Sequence, residues 1–382
     1  MTEYEAPIET LNGNETNQSE TDEELKTLPP KPLDELSKPP NNDDEEEEST
    51  QQRNSKLSLL INISNLLAYA LNTVLTYYGG ILGIFSNGKS YATISSEYQT
   101  LITPSATYFG YIWAIIFVSQ AFFVIAQLAV PRYRNHVLVQ KRGVGVWYIL
   151  TCVTQSAWIV SFGYQYMVLA TVSILSTLLC LLTILGHQWK VIDRYETSIE
   201  GDEWLLENNA VNVLDEEKKK DMALAPSFGY LLLRFPFAIH AGWIAPAFPL
   251  MLSVVLVSYG VDPQVELWTA VIGVAVLFGM SMGLLLRQER GAPSYSFPAV
   301  VAYAFAGIAW ELNAPSSDDI LERFTESEIS LTKNVSGFCC AMLLVTIVSR
   351  FFAICMRDHC CYKNRKYDDE DEDVIYVEAD DV

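Results

Sequence analysis

Apolar residues gather into eight long stretches, at about 57–79, 105–130, 144–163, 165–186, 228–257, 265–286, 295–312 and 335–356, with polar runs between them. Crossing a hydrocarbon core of about 30 Å takes roughly 20 consecutive, mostly apolar helical residues. Each stretch meets that length, the seventh only just. The pattern therefore predicts an all-α fold, a polytopic membrane helix bundle of about eight transmembrane helices. The fourth stretch begins almost where the third ends, which makes "FGYQY" (Phe162–Tyr166) a tight turn.

Outside the spans the composition changes sharply. Residues 1–56 are almost all polar, with runs such as "NNDDEEEEST". So little apolar surface cannot offset the entropy of ordering, and this segment is expected to be a disordered acidic tail. Residues 358–382, ending in "KYDDEDEDVIYVEADDV", form a second acidic tail. The two tails and the connector 187–225 carry most of the formal charge of −21. In the connector, Asp215 and Glu216 stand four residues ahead of Lys219 and Lys220, a spacing that supports a helix lying on the membrane surface. Residues 1–55 lack the apolar core of a secretory signal, so the first span is expected to insert the protein itself.

Positive charge orients the bundle. With eight spans, one side receives 17 lysines and arginines near span ends, from Arg53 and Lys56 through Arg287 and Arg290 to Lys366; the other receives only 3, Lys89, Arg323 and Lys333. By the positive-inside rule both termini are cytoplasmic. An integral protein of a eukaryotic endomembrane or plasma membrane is the expected setting.

Several chemistries find no support. No span contains a lysine, which excludes a retinal Schiff base, and no P-loop, HExxH or paired Cys-x-x-Cys motif occurs. No basic, aromatic-interleaved surface exists for nucleic acid, and no metal site is expected. Most cysteines fall in apolar segments, where a thiol packs as a small hydrophobe. Cys360 and Cys361 follow the last span directly, where S-palmitoylation is one reading.

Polar residues inside the spans are costly and point to function by default. Arg234 lies near the start of the fifth span, where snorkelling is the plainer account. His240 is deeper and too short to snorkel; it is either a packing residue or a ligand contact. Gln155 precedes Trp158 by one helical turn, while Glu311, Asn313 and Arg350 mark span ends. Pro236, Gly242, Pro246 and Pro249 predict a kinked fifth helix turned toward protein, because freed carbonyls at membrane depth need partners. His240 and Trp243, three residues apart, then share its inward face.

The order of these motifs resembles the tryptophan-rich sensory protein/translocator protein (TspO/MBR) family, in particular its longer relatives in algae and other protists. After the loop Gly80–Ile102 comes "TPSATYFGYIWAIIF", with Pro104, Phe109 and Trp113 in the family's order. "QSAWIVSFG" supplies Gln155, Trp158 and Phe162, with Gln where the family has Asn. "RFPFAIHAGW" supplies Pro236 and Phe237, with His240 in the place of a tryptophan and Trp243 following. The loop tryptophan and the late asparagine of the fifth helix are absent. The resemblance covers roughly residues 57–257, a five-helix core; the three spans in 258–357 and both tails lie outside it. It implies a hydrophobic pocket within five helices, roofed by the first loop, that binds tetrapyrroles or sterols.

On this reading Tyr108, Phe109, Trp113, Trp158, Phe162 and Trp243 supply aromatic faces, and Gln155 and His240 sparse polar anchors, as in small-molecule sites. The expected function is a membrane binding or sensory protein for a hydrophobic planar ligand, a porphyrin or haem or a sterol, with no required cofactor. Two other classes stay open: a secondary transporter built on a broken fifth helix, and an interaction scaffold using the tails and connector. No carboxylate pair or nucleophile–base set accompanies His240, so an enzyme is not expected. The expected partners are membrane lipids and a hydrophobic small molecule, with a homo-oligomer left open.

Overall fold

The structure is a computed structural model that describes residues 42–134, 136, 138–140, 143–207, 231–287 and 294–375; at the outer ends of α1, α6 and α11 only the backbone is described. Eight long helices account for the eight apolar stretches. They are α1 (Asn42–Leu75, continued by a π-helical turn Thr76–Ile81), α3 (Ala106–Ala129), α5 (Trp147–Gly163), α6 (Met167–Glu207), α7 (Phe235–Ser258), α8 (Pro263–Leu286), α9 (Ser296–Glu311) and α11 (Glu326–Ile375). Among the described residues three short ones lie between: α2 (Tyr91–Glu97), α4 (Pro131–Arg134) and α10 (Asp318–Arg323). The chain divides into two units, Met1–Asn54 and Ser55–Val382, so the spans after residue 257 belong to the same unit as those before it. The connector beyond residue 207, with Asp215 to Lys220, lies outside the described residues. So do the side chains of Cys360 and Cys361.

Among the described helices six are long and apolar enough to cross a membrane. The two that fall short are α5 and α9, with 17 and 16 residues, roughly 25 Å of helix against a core of about 30 Å. Both pack closely on neighbours: α5 on α6 and the π-helical turn, and α9 on α7 and α11.

The polar side chains of the spans turn inward, among a largely apolar core, and the outward faces are apolar, as lipid demands. On α3, Ile112, Ile116, Gln120, Phe123 and Gln127 are buried, while Ile115, Val118, Phe122 and Ile125 face outward. On α1 the inward stripe is Asn62, Asn65, Tyr69 and Asn72. Asn65 Nδ2 donates to Gln127 Oε1 at 3.3 Å, Tyr69 Oη to the Phe117 carbonyl at 3.0 Å, and Asn72 Oδ1 accepts from Ser156 Oγ at 3.2 Å. Such bonds fasten α1 to α3 and α5 where burying apolar surface offers no gain. Exposed Tyr77, Tyr78, Tyr111, Tyr164, Tyr166, Tyr259, Trp268 and Trp310 all lie at one end of the bundle, the aromatic belt of a membrane interface.

That end also holds the first loop, which is ordered. Gly83 sits at φ +67°, where an added Cβ would come within 2.4 Å of the Lys89 carbonyl, so the turn needs glycine. Ser90 caps α2 by accepting from Thr93 N at 3.2 Å. The far side of the loop is latched by residues from beyond residue 257. Glu266, buried on α8, accepts from Leu101 N at 3.3 Å and pairs with Arg323 at 2.9 Å. Arg323 Nη2 also donates to the Gln99 carbonyl at 2.6 Å, and Gln99 Nε2 donates to Glu311 Oε1 at 2.9 Å. Glu311, which the sequence marks only as a span end, is thus part of the latch.

Helix α7 is assigned as helix from Phe235 to Ser258, with Pro236 in its first turn and Pro246 and Pro249 inside. A short helical turn at residues 231–233 precedes it, and the chain breaks at Arg234, near the start of the apolar stretch. Pro236 costs little where the first N–H groups have no intrahelical partner. At Gly242 the backbone of α9 comes close: an added Cβ would lie 2.8 Å from the Phe297 carbonyl oxygen.

Candidate functional site

Aromatic rings from four helices and the first loop form a continuous chain across the bundle interior. Tyr91 of α2 places its ring edge on Trp158 and Phe162 of α5, with centroids 5.8 and 5.3 Å away. Its hydroxyl donates to the Ile159 carbonyl, and burial pushes the phenol pKa up. Trp158 stacks on Phe162 and lies nearly parallel to Trp113 of α3, at 13° and 6.3 Å. Trp113 meets His240 of α7 edge-on at 5.8 Å, and also Phe109 and Phe117. Phe109 leads to Trp243 at 5.8 Å, Trp243 to Tyr303 of α9 at 6.5 Å, and Tyr303 to Tyr108 at 4.9 Å. All these spacings lie in the range of favourable ring pairs.

Polar groups punctuate the chain. His240 is fully buried, and its Nδ1 lies 2.8 Å from Gln120 Nε2. Gln120 Oε1 accepts from the Tyr148 hydroxyl at 3.2 Å. With the amide nitrogen of Gln120 placed toward the imidazole, Nδ1 is the acceptor and the ring proton is assigned to Nε2. His240 Nε2, Gln155 Nε2 and Trp158 Nε1 are then three donors, buried on two helices, and none has a protein partner. Asn72 Nδ2 on α1 is a fourth. Buried polar atoms are normally paired, and exceptions call for a cause.

The structure thus brings together Tyr108, Phe109, Trp113, Trp158, Phe162, His240 and Trp243 through direct ring contacts, with Gln155 one turn before Trp158. The sequence did not single out Gln120, Tyr148, Tyr91, Asn72 or Tyr303. Tyr303 comes from α9, beyond the five-helix core, and Gly307 on the same helix accepts from Ser105 N at 3.2 Å. The later spans therefore help to build the site as well as the latch. A signal for Asn72 was available in the stripe Asn62, Asn65, Tyr69, Asn72; no comparable signal marks Gln120.

These features define a class: a polytopic helical membrane protein whose interior is lined by stacked rings and buried donors and covered by an ordered loop. Within that class, the chain belongs to the TSPO-like protein family, whose model matches residues 62–349. The match passes residue 257, where the sequence resemblance stopped, and takes in α8, α9 and much of α11. No curated relative and no solved structure matches the chain.

Proposed function

We propose that this membrane protein binds or senses a hydrophobic planar ligand of the tetrapyrrole or sterol class, held in the aromatic chain between α3, α5 and α7. The observation that carries the reading is the set of unpartnered donors, His240 Nε2, Gln155 Nε2 and Trp158 Nε1, buried among ring faces. Ring faces suit a flat apolar body, and donors without acceptors suit a ligand that brings oxygen acceptors. The carboxylates of a tetrapyrrole would engage several donors, whereas the hydroxyl of a sterol would engage one. The family supports a membrane binding or sensory role.

Titration of the purified protein with protoporphyrin should quench tryptophan fluorescence saturably. Trp243→Ala should weaken binding of either ligand class by about 1–3 kcal/mol through lost aromatic contact. His240→Ala should cost protoporphyrin a similar amount, roughly 1–3 kcal/mol for a hydrogen bond to a charged group, and a sterol much less. Unchanged affinity in both variants, with only the melting temperature lowered, would mean that these rings serve packing alone.

The same reading places both termini in the cytoplasm, as the 17-to-3 division of basic residues implies. Protease added to the cytoplasmic face of sealed microsomes should remove both tails; protection of either one refutes the orientation.

A further inference from the structure

The polar relay behind His240 decides what that residue can offer a ligand. Gln120 is 1% exposed and His240 not at all, so protein alone sets their hydrogen bonding. His240 Nδ1 lies 2.8 Å from Gln120 Nε2, and Gln120 Oε1 accepts from the Tyr148 hydroxyl at 3.2 Å. Tyr148 is itself held fast. Its fully buried ring meets Phe123 and Phe237 edge-on at 5.6 and 5.5 Å, and those two rings meet each other at 4.9 Å. Side chains of α3, α5 and α7 thus hold the imidazole from its Nδ1 side.

A histidine poised to bind a metal is held the other way round. Metal-ligating imidazoles almost always donate their second ring N–H to a carboxylate, a carbonyl or water, which leaves a lone pair on the ligating nitrogen. Here Nδ1 faces the amide nitrogen of Gln120 and accepts, so Nε2 carries the proton and has no lone pair to give. The opposite setting of the amide would place an oxygen on Nδ1 and make Nε2 an unmatched acceptor. As placed, the unmatched groups His240 Nε2, Gln155 Nε2 and Trp158 Nε1 are all donors. One kind of ligand atom, an oxygen acceptor, suits each of them.

We propose that Gln120, seated by Tyr148, is a positioning residue that fixes His240 as a hydrogen-bond donor, so that the site takes a tetrapyrrole through its carboxylate oxygens and His240 leaves a central metal unligated. The inference rests on the reading of the aromatic chain as a tetrapyrrole site and adds how the ligand is held. It makes haem and metal-free protoporphyrin equivalent ligands for this histidine.

Nitrogen NMR of the full-length protein in detergent, labelled at its histidine rings and free of ligand, reads the tautomer directly. The His240 signals, identified by their loss in His240→Ala, should place the proton on Nε2; a proton on Nδ1 overturns the proposal. Titration with protoporphyrin and with ferric haem, followed by absorbance, then tests the binding mode. Wild type should bind both with similar affinity, and its haem should show the Soret band of iron without an imidazole ligand. Gln120→Glu sets a carboxylate against Nδ1 and should shift that band to the position of imidazole-ligated iron, a shift that Gln120→Glu/His240→Ala should abolish. Imidazole-ligated haem in wild type, lost in His240→Ala, overturns the proposal. Should Gln120→Glu fail to fold, Tyr148→Phe decides the matter, since it removes only the hydroxyl that seats Gln120. It should show both tautomers of His240 and bind protoporphyrin roughly three- to tenfold more weakly, the order of one net hydrogen bond. No saturable binding of protoporphyrin by wild type would sink the tetrapyrrole reading and this inference with it. Saturable binding of equal affinity in wild type and Tyr148→Phe would sink the relay alone.

Discussion

Replacing Arg323 by leucine should destabilise the protein by about 3–5 kcal/mol, the cost of breaking a buried ion pair from one side. The expectation rests on where the charge is left. The Glu266 side chain is 2% exposed and that of Arg323 25%, so removing the arginine strands the more deeply buried partner. The same substitution frees the Gln99 carbonyl, which Arg323 holds at 2.6 Å. Leu101 N would keep only a carboxylate without its counter-charge. Because Gln99 and Leu101 close the first loop, its amides should lose protection in hydrogen exchange ahead of the rest of the bundle. The double variant Arg323→Leu/Glu266→Leu should recover much of the stability, since an apolar pair strands no charge. A single variant as stable as the wild type would show that the pair is not a latch.

The latch also shows why part of the architecture escapes the sequence. Apolar stretches are legible because lipid allows only helices with satisfied backbones, and a run of apolar residues of the right length has few alternatives. Those stretches end where lipid ends, but backbone hydrogen bonding does not. Hence α1 starts at Asn42 inside the acidic run, α6 continues to Glu207 and α11 to Ile375, all well past the apolar windows. The converse holds for the fifth stretch, apolar from residue 228, where the helix proper begins only at Phe235 after the break at Arg234.

Within the site, what could be read were residues unusual for their setting. His240, Gln155 and Trp158 stand out in apolar runs, and the spacing of His240 and Trp243 puts them on one face. Their partners carry no such mark. Gln120 lies 120 positions from His240, and Glu266 lies 57 from Arg323, so only the fold brings each pair together. Arg323 entered the sequence argument merely as one of three basic residues on the sparse side. Tyr303 could not be assigned at all, because α9 lay outside the resemblance that located the site.

Trp113→Ala should have the largest effect of any single change in the ring chain. Trp113 is its hub, touching Trp158, His240, Phe109 and Phe117, so its loss separates the α5 half from the α7 and α9 half. Truncating a large buried ring costs about 3–5 kcal/mol in a closely packed interior; because Trp113 is only partly buried, the lower end of that range is expected. In lipid this cost is chiefly lost van der Waals contact, since apolar transfer contributes little between helices. Packing and binding can be told apart with Trp113→Phe, which keeps a ring against Trp158 but removes half of the indole. If the ring chain holds a planar ligand, Trp113→Phe should retain most of the melting temperature yet lose protoporphyrin affinity by about 1 kcal/mol, the order of one aromatic pair. Trp113→Ala should lose both. Parallel losses of stability and affinity across the two variants would assign Trp113 to the scaffold and move the ligand elsewhere in the bundle.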